Sequence, residues 1–480
     1  MLPVPPIPVE LWNQIPPAAQ AAVLALVQQY EQRLQALQRK VDQLTERLNQ
    51  NSTNSSRPPS SDPPHVKRRP PTPAAGRKRG GQPGHARQQR PLVPPEQVKQ
   101  SILLKPSACR KCGQALSGDD PAPRKHQVAE IPPVQAEVTE YRLHRLICTA
   151  CGTRTCASLP AGVPAGAFGP RLQAMLAVLA GAYRLGKRPI RQLAHDLFGL
   201  SISTGMVAKL ERSTADALQQ PMAELQEYVR SQHANVDETS WREARHKAWL
   251  WVVVTPPVTV FHIASTRCGK VAGRLLGSAF RQVVTSDRWK AYNGFRRRQF
   301  CWSHLRRDFQ AMIDRQNSGT ATGKKLLCLS DRMFAWWHRV RDGTLSRSSF
   351  QVYISGLRAE VREALSQGAG CGCPKTAATC RNLTANESKL WTFVWREGVE
   401  PTNNAAERAL RHAVLWRKGS GGTDSSRGSR FVERVLSVRE TCRQQGRGLL
   451  AYLVECCQAR KEGKAPASLL PPNGSQFGAA

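Results

Sequence analysis

The hydrophobic period of this chain changes at about residue 232, and that change constrains the fold more than any other feature. Upstream, Arg171–Leu185 reads as an apolar helix of small residues, Lys187–Leu210 as helix, turn and helix, and Glu211–Ser231 as a further helix. Downstream, His233–Asp237 reads as a strand. Ala248–Val254 and Val258–Ala264 are β-rich runs around the Pro256-Pro257 turn, and Gln282–Ser286 is another short strand. A helix over Val271–Phe280 separates the third strand from the fourth, and from Cys301 to Trp395 the text is mainly helical. A three-strand meander followed by helix and strand calls for an α/β sheet.

That order suggests a ribonuclease-H-like catalytic domain over residues 232–455, with a large helical insertion at about 310–395. Asp237 follows the apolar start of the first strand, and Asp287 ends the fourth. In a sheet of this kind those positions are neighbours. Two carboxylates there would bind magnesium or manganese ions that activate a water and stabilise the leaving oxygen during in-line attack on phosphorus. Glu407 is the candidate third acid, because Pro401-Thr402-Asn403-Asn404 predicts a capped helix start with Glu407 in its first turn. Arg411, four residues on along the same face, would reach the scissile phosphate. Glu238, Asp308, Glu397 and Glu400 compete for the role, and any one of these acids alone reads first as a solvated or ion-paired carboxylate.

Charge narrows the substrate. Seventy Lys and Arg against 35 Asp and Glu give a net charge of +35, which repels itself unless the partner is a polyanion. With 480 residues, 11 Trp and 40% hydrophobic residues, the chain exceeds a simple basic protein and calls for several folded units. Met1–Glu10 lacks the pattern of a signal peptide, and no apolar run reaches the roughly 18 residues that span a bilayer. The expectation is a cytoplasmic, nucleoid-associated protein with no membrane role. Its 14 Cys would then be reduced, so clustered pairs point to metal.

Several modules precede the sheet. Within residues 17–50, Val27, Tyr30, Leu34, Leu37, Val41, Leu44 and Leu48 form a heptad seam that predicts self-association, a helix packed on its own protein being the alternative. Residues 51–95, with Lys67-Arg68-Arg69 and Arg77-Lys78-Arg79, read as a disordered basic linker, either gripping phosphates or acting as a plain tether. In residues 96–160, Cys109-x-x-Cys112-Gly113 and Cys148-x-x-Cys151-Gly152 are two knuckles 35 residues apart. Two such pairs complete a tetrahedral four-cysteine zinc site, with Val134–Ile147 as a hairpin returning the second, unless the thiols are unligated. Cys156 is a spare. Residues 170–231 hold the helix-turn-helix: Leu193, Ala194 and Leu197 face inward, Gly199 makes the turn, Ser201 or Ser203 caps the second helix, and Met206, Val207 and Leu210 are buried. Arg188, Arg191 and Lys209 would touch DNA if this pair is a DNA reader rather than a plain core pair. Residues 456–480 read as a flexible tail.

Taken together, the motifs Asn54-Ser-Ser-Arg-Pro-Pro-Ser-Ser-Asp62, Gly80-Gly-Gln-Pro-Gly-His85, the two Cys pairs, Val236-Asp-Glu-Thr239, Cys301-Trp-Ser-His-Leu-Arg-Arg-Asp308 and Pro401-Thr-Asn-Asn-Ala-Ala-Glu-Arg408 span about residues 30–455. The chain resembles the insertion-sequence sixty-six family of transposases, of the transposase C type. The resemblance implies a catalytic triad of Asp237, Asp287 and Glu407, an amino-terminal zipper, a zinc module and a helix-turn-helix. It also implies a homo-oligomer acting on double-stranded DNA, the element ends and the target, with accessory proteins of the same element. Cys301 and His304 have metal-ligand spacing, but the family does not lead to a role for them. The stretch Trp416–Gly422 departs from the family, which tends to place a bulkier residue among its glycines.

The expected reaction frees a 3′ hydroxyl at each end by water attack, and that hydroxyl then attacks target DNA. A non-catalytic zinc-dependent DNA-binding regulator, or a decayed transposase, is the rival reading. A tyrosine recombinase would rely on Tyr452 in the carboxy-terminal Arg-rich helix.

Overall fold

The computed structural model describes residues 8–55, 57, 62 and 90–471. Most of the basic linker of residues 51–95, and the motif at residues 80–85, lie outside the described residues. The chain divides into a large unit, residues 1–66, 139–196 and 200–480, and a small one, residues 67–138 with 197–199.

The large unit begins with α1 (Val9–Trp12) and α2 (Pro17–Asn49). The seam residues Tyr30, Leu34, Leu37, Val41, Leu44 and Leu48 are all exposed along α2. Its far end is held by Glu46, which pairs with Arg315 at 3.0 Å and with Lys375. In the small unit the first knuckle is built as its sequence predicts: the Cys109 N–H donates to the Gln114 carbonyl and the Gly113 N–H to the Cys109 carbonyl, with Gly113 at φ +76°. The second knuckle, in the large unit, repeats this with Cys148, Thr153 and Gly152 (φ +70°). It sits between β1 (Arg145–Ile147) and β2 (Arg154–Cys156), which pair antiparallel. The expected hairpin over Val134–Ile147 is therefore corrected. Residues 134–144 have no ladder partner, and the hairpin wraps the knuckle instead.

Next come α3 (Pro170–Gly181), α4 (Lys187–Phe198), α5 (Thr204–Ala217) and α6 (Gln219–Arg230). Gly199 turns the chain at φ +64°, and the Ser203 hydroxyl accepts the Met206 N–H to cap α5. Ile190, Ala194, Val207 and Leu210 are buried, whereas Leu197, expected inward, is exposed. The single helix expected over Glu211–Ser231 is interrupted at Leu218.

The sheet holds β3 (Ala234–Glu243), β4 (His246–Val254), β5 (Thr259–Ala264), β6 (Val284–Ser286) and β7 (Arg298–Phe300), with α7 (Gly269–Leu276) between β5 and β6. Their order is β5-β4-β3-β6-β7. The β3–β4–β5 meander is antiparallel, and β6 and β7 add on in parallel. β3 runs six residues beyond the expected end, because Glu238–Glu243 pair with the first half of β4. β7 was not foreseen: its three residues include Arg298 and Gln299 and carry no alternation.

Then α8 (Trp302–Asp314), α9 (Thr320–Arg341), α10 (Arg347–Ala369), α11 (Pro374–Ala385) and α12 (Thr392–Trp395) form the helical insertion around its own core, which includes Leu326, Met333, Trp337, Phe350, Leu383 and Phe393. The aromatic run at Phe334–His338 contributes to that core through Trp337, which packs against Phe350 and Phe393. The chain returns as α13 (Asn404–Ser420), α14 (Ser426–Gln445) and α15 (Leu449–Lys461). The tail expected at residues 456–480 is packed as far as described: Cys456, Cys457 and Leu469 are buried, and the Tyr452 hydroxyl donates to the Ala467 carbonyl.

Alternation along β4 sends Trp251 and Val253 to a core shared with α3–α7, α14 and α15. Leu250, Val252 and Val254 go to the opposite face, under Ala406, Ala409, Leu410 and Ala413 of α13. The helices before the sheet are tied to α13 by His412, whose Nε2 lies 2.9 Å from the Gly181 carbonyl and whose Nδ1 lies 3.0 Å from Arg184. Burial, with Arg439 and Arg184 nearby, lowers this imidazole from 6.5 to about 4. Below pH 6.5 the unfolded chain takes up a proton that the folded chain refuses until about 4. Stability is therefore expected to fall as pH drops through that window, and urea melts of His412→Gln should show a shallower fall than wild type.

Candidate active site

Period-two alternation sorts the acids on β3. Val236 enters the core on one face, and so does the neighbourhood of Glu238, whose carboxylate accepts from Arg267 Nε at 2.5 Å and from the buried Tyr292 hydroxyl. Asp237 points to the other face, which α13 covers. On the adjacent parallel strand Ala234 pairs with Val284 and Asn235 with Thr285. Continuing that register by two residues sets Asp237 opposite Asp287.

Asp287 sits in a braced turn. Its Oδ1 accepts the Trp289 N–H at 2.9 Å. Arg298, 1% exposed, donates to the Asp287 carbonyl at 2.8 Å, to Ser286 Oγ at 3.1 Å and to Asn293 Oδ1 at 2.9 Å. Burial lowers this guanidinium to about 10, opposed by the charge of Asp287, so it stays a cation at neutral pH.

Glu407 lies in the first turn of α13, as the sequence predicts, but the cap differs. The Asn403 side chain makes no capping bond; its amide is fully buried and without a partner. Its backbone serves instead, the carbonyl accepting from Ala406 and Glu407 and the N–H donating to Cys301 Sγ at 3.3 Å. From α8, His304 Nδ1 approaches Glu407 Oε1 to 3.6 Å, and Arg307 Nη2 approaches Oε2 to 3.8 Å.

Electrostatics tie the acids together. The Asp237 carboxyl is held well above the usual carboxylate range by burial, then by the negative charges of Glu238, Asp287 and Glu407. Such crowding of anions is relieved by a cation. The rival acids are occupied elsewhere: Asp308 pairs with Arg288 at 2.6 Å, Glu400 accepts from Trp337 Nε1 at 3.2 Å, and Glu397 lies near Arg347.

Arg188 and Arg191 on α4, Lys209 on α5 and Arg411 on α13 are all exposed. Beyond Asp237 along β3 lies a cavity of about 610 Å³ lined by Arg242, Arg245, Lys247 and Arg417, which sequence reasoning did not single out. It also missed Arg298, because a lone arginine in a short polar strand gives no periodic signal. In the knuckles, neighbouring backbone N–H groups lower the Cys109 thiol, and the Thr153 hydroxyl lowers that of Cys151, favouring the thiolates that bind zinc. Tyr452 is 2% exposed and already bonded, which removes it as a nucleophile.

Replacing Arg298 by Met is expected to cost on the order of 3 kcal/mol, read from the urea midpoint of the full chain. An unchanged midpoint would contradict the brace at Asp287.

Three family models match this sequence. "Transposase IS66 family" covers residues 165–430, more than half of the chain, and includes all three acids. The "zinc-finger binding domain of transposase IS66" covers residues 106–152, with both Cys pairs, and a family of unknown function (DUF6444) covers residues 10–91. A curated relative, the uncharacterized protein y4qI of Sinorhizobium fredii, is 25% identical over 235 residues, which are 43% of this chain and 42% of that one. The chain thus spans about two fifths of the length of the curated relative it matches. No helix among the described residues is long and apolar enough to cross a membrane. The motif resemblance and the family match agree, and the chain belongs to the Transposase IS66 family.

Proposed function

We propose that this protein is a DNA transposase of a bacterial insertion sequence, acting in the cytoplasm through Asp237, Asp287 and Glu407. The observation that carries the reading is the crowding of Asp237 by Glu238, Asp287 and Glu407, acids from β3, the turn after β6 and α13, in a chain of net charge +35. The strand order β5-β4-β3-β6-β7 supports a ribonuclease-H-like domain. Two helices on either side of Gly199, with Arg188, Arg191 and Lys209 exposed, support a helix-turn-helix.

Three carboxylates suit a hard divalent cation such as magnesium or manganese. When bound, such ions lower the pKa of the attacking water and neutralise charge at phosphorus. The chain's own groups do the rest. Arg298 braces the turn that carries Asp287, Glu407 sits in the first turn of α13, and Arg411, exposed one helical turn further on, would hold a phosphate. In the first step a water oxygen bonds to phosphorus and the 3′ oxygen leaves with a proton. In the second that 3′ hydroxyl attacks a target phosphodiester, displacing another 3′ oxygen, and no protein adduct forms.

The zinc-finger match contains Cys109, Cys112, Cys148 and Cys151, which we read as the four zinc ligands. The exposed seam of α2 supports a homo-oligomer that pairs two element ends.

On the element's own end DNA with magnesium or manganese, Glu407→Gln is expected to lose nicking and strand transfer by at least about 10²-fold, with DNA binding retained. Equal activity in the variant would move the third acid elsewhere. Activity in neither protein would favour a non-catalytic DNA-binding regulator.

A further inference from the structure

Cys301 and His304 fit none of the roles assigned so far, yet both turn toward Glu407. Among the described residues, their ligand atoms and a Glu407 oxygen lie within 4.8 Å of one another. Tetrahedral zinc sets its ligand atoms about 3.3–3.8 Å apart, and the 3.6 Å between His304 Nδ1 and Glu407 Oε1 already falls there. Both of those atoms are buried and have no hydrogen-bond partner. Arg307 faces the other carboxylate oxygen and leaves Oε1 free to coordinate. Cys301, 1% exposed, sits just before the amino terminus of α8, and its sulfur accepts the Asn403 N–H. A thiol, an imidazole and one carboxylate select a borderline-soft ion and disfavour magnesium.

We propose that Cys301 Sγ, His304 Nδ1 and Glu407 Oε1 form a zinc-class metal site, separate from the cysteine knuckles, that withdraws Glu407 from the acid cluster. As the metal–sulfur bond forms, the Cys301 proton leaves to solvent, and a water completes the fourth position. Withdrawal of Glu407 would make zinc an inhibitor that competes with magnesium, and this consequence alone rests on the reading of Glu407 as the third acid.

The test is metal counting on the full chain, stripped and then dialysed against zinc. Wild type should hold one equivalent more than Cys301→Ser, His304→Gln or Glu407→Gln, whereas Asp287→Asn should keep it. Cobalt substitution should give a wild-type minus Cys301→Ser difference spectrum with thiolate charge-transfer and tetrahedral bands. Equal zinc content in wild type and a folded His304→Gln would overturn the proposal, even if Cys301→Ser failed to fold. The count is independent of catalysis. A retained equivalent without zinc inhibition of nicking would leave the site standing and overturn its role on Glu407.

Discussion

Three hydrogen bonds at the neck of the helical insertion decide whether Glu407 can meet the aspartates at all. The Cys301 N–H donates to the Ser286 carbonyl at 2.9 Å, the Trp302 N–H to the Pro401 carbonyl at 3.0 Å, and the Asn403 N–H to Cys301 Sγ at 3.3 Å. The end of β6, the start of α8 and the start of α13 are thereby laced at one point, and about a hundred residues leave and return through it. Closing so long a loop costs little more than closing a short one. The insertion's own core meets the larger cost of ordering those residues. Polar bonds from Gln299 to the Leu390 carbonyl, and from Thr392 to the Arg298 carbonyl, fasten the insertion to the sheet edge.

Against that rigid frame the acids are set at mutual disadvantage. Strand alternation turns Glu238 toward Arg267 and Tyr292 and Asp237 toward the other face, yet the charge of Glu238, with those of Asp287 and Glu407, still weighs on Asp237. Stability is given up there, and the same arrangement is what makes the site receptive to cations.

Much of this was legible in the sequence where a local rule operates. The meander, both Cys-x-x-Cys-Gly knuckles and the Ser203 cap follow from period, spacing and turn chemistry, whereas the end of β3 lies six residues beyond Asp237. What was misread depends on tertiary partners. Within the hairpin expected at Val134–Ile147 only residues 145–147 find a partner strand, the Asn403 side chain is buried without a capping bond, and Leu197 faces outward. The packing of Cys456 and Cys457 depends on α3 and α5, more than two hundred residues away in sequence. Arg298 was invisible because its value lies in a carbonyl eleven residues back.

The central claim is that Asp237, Asp287 and Glu407 hold common divalent cations. Manganese titration calorimetry on the full chain, dialysed free of excess zinc, tests it most directly, with Asp237→Asn, Asp287→Asn and Glu407→Gln compared with wild type. The account predicts that each single neutralisation weakens manganese binding by about tenfold or more. Binding that survives all three substitutions unchanged would contradict it.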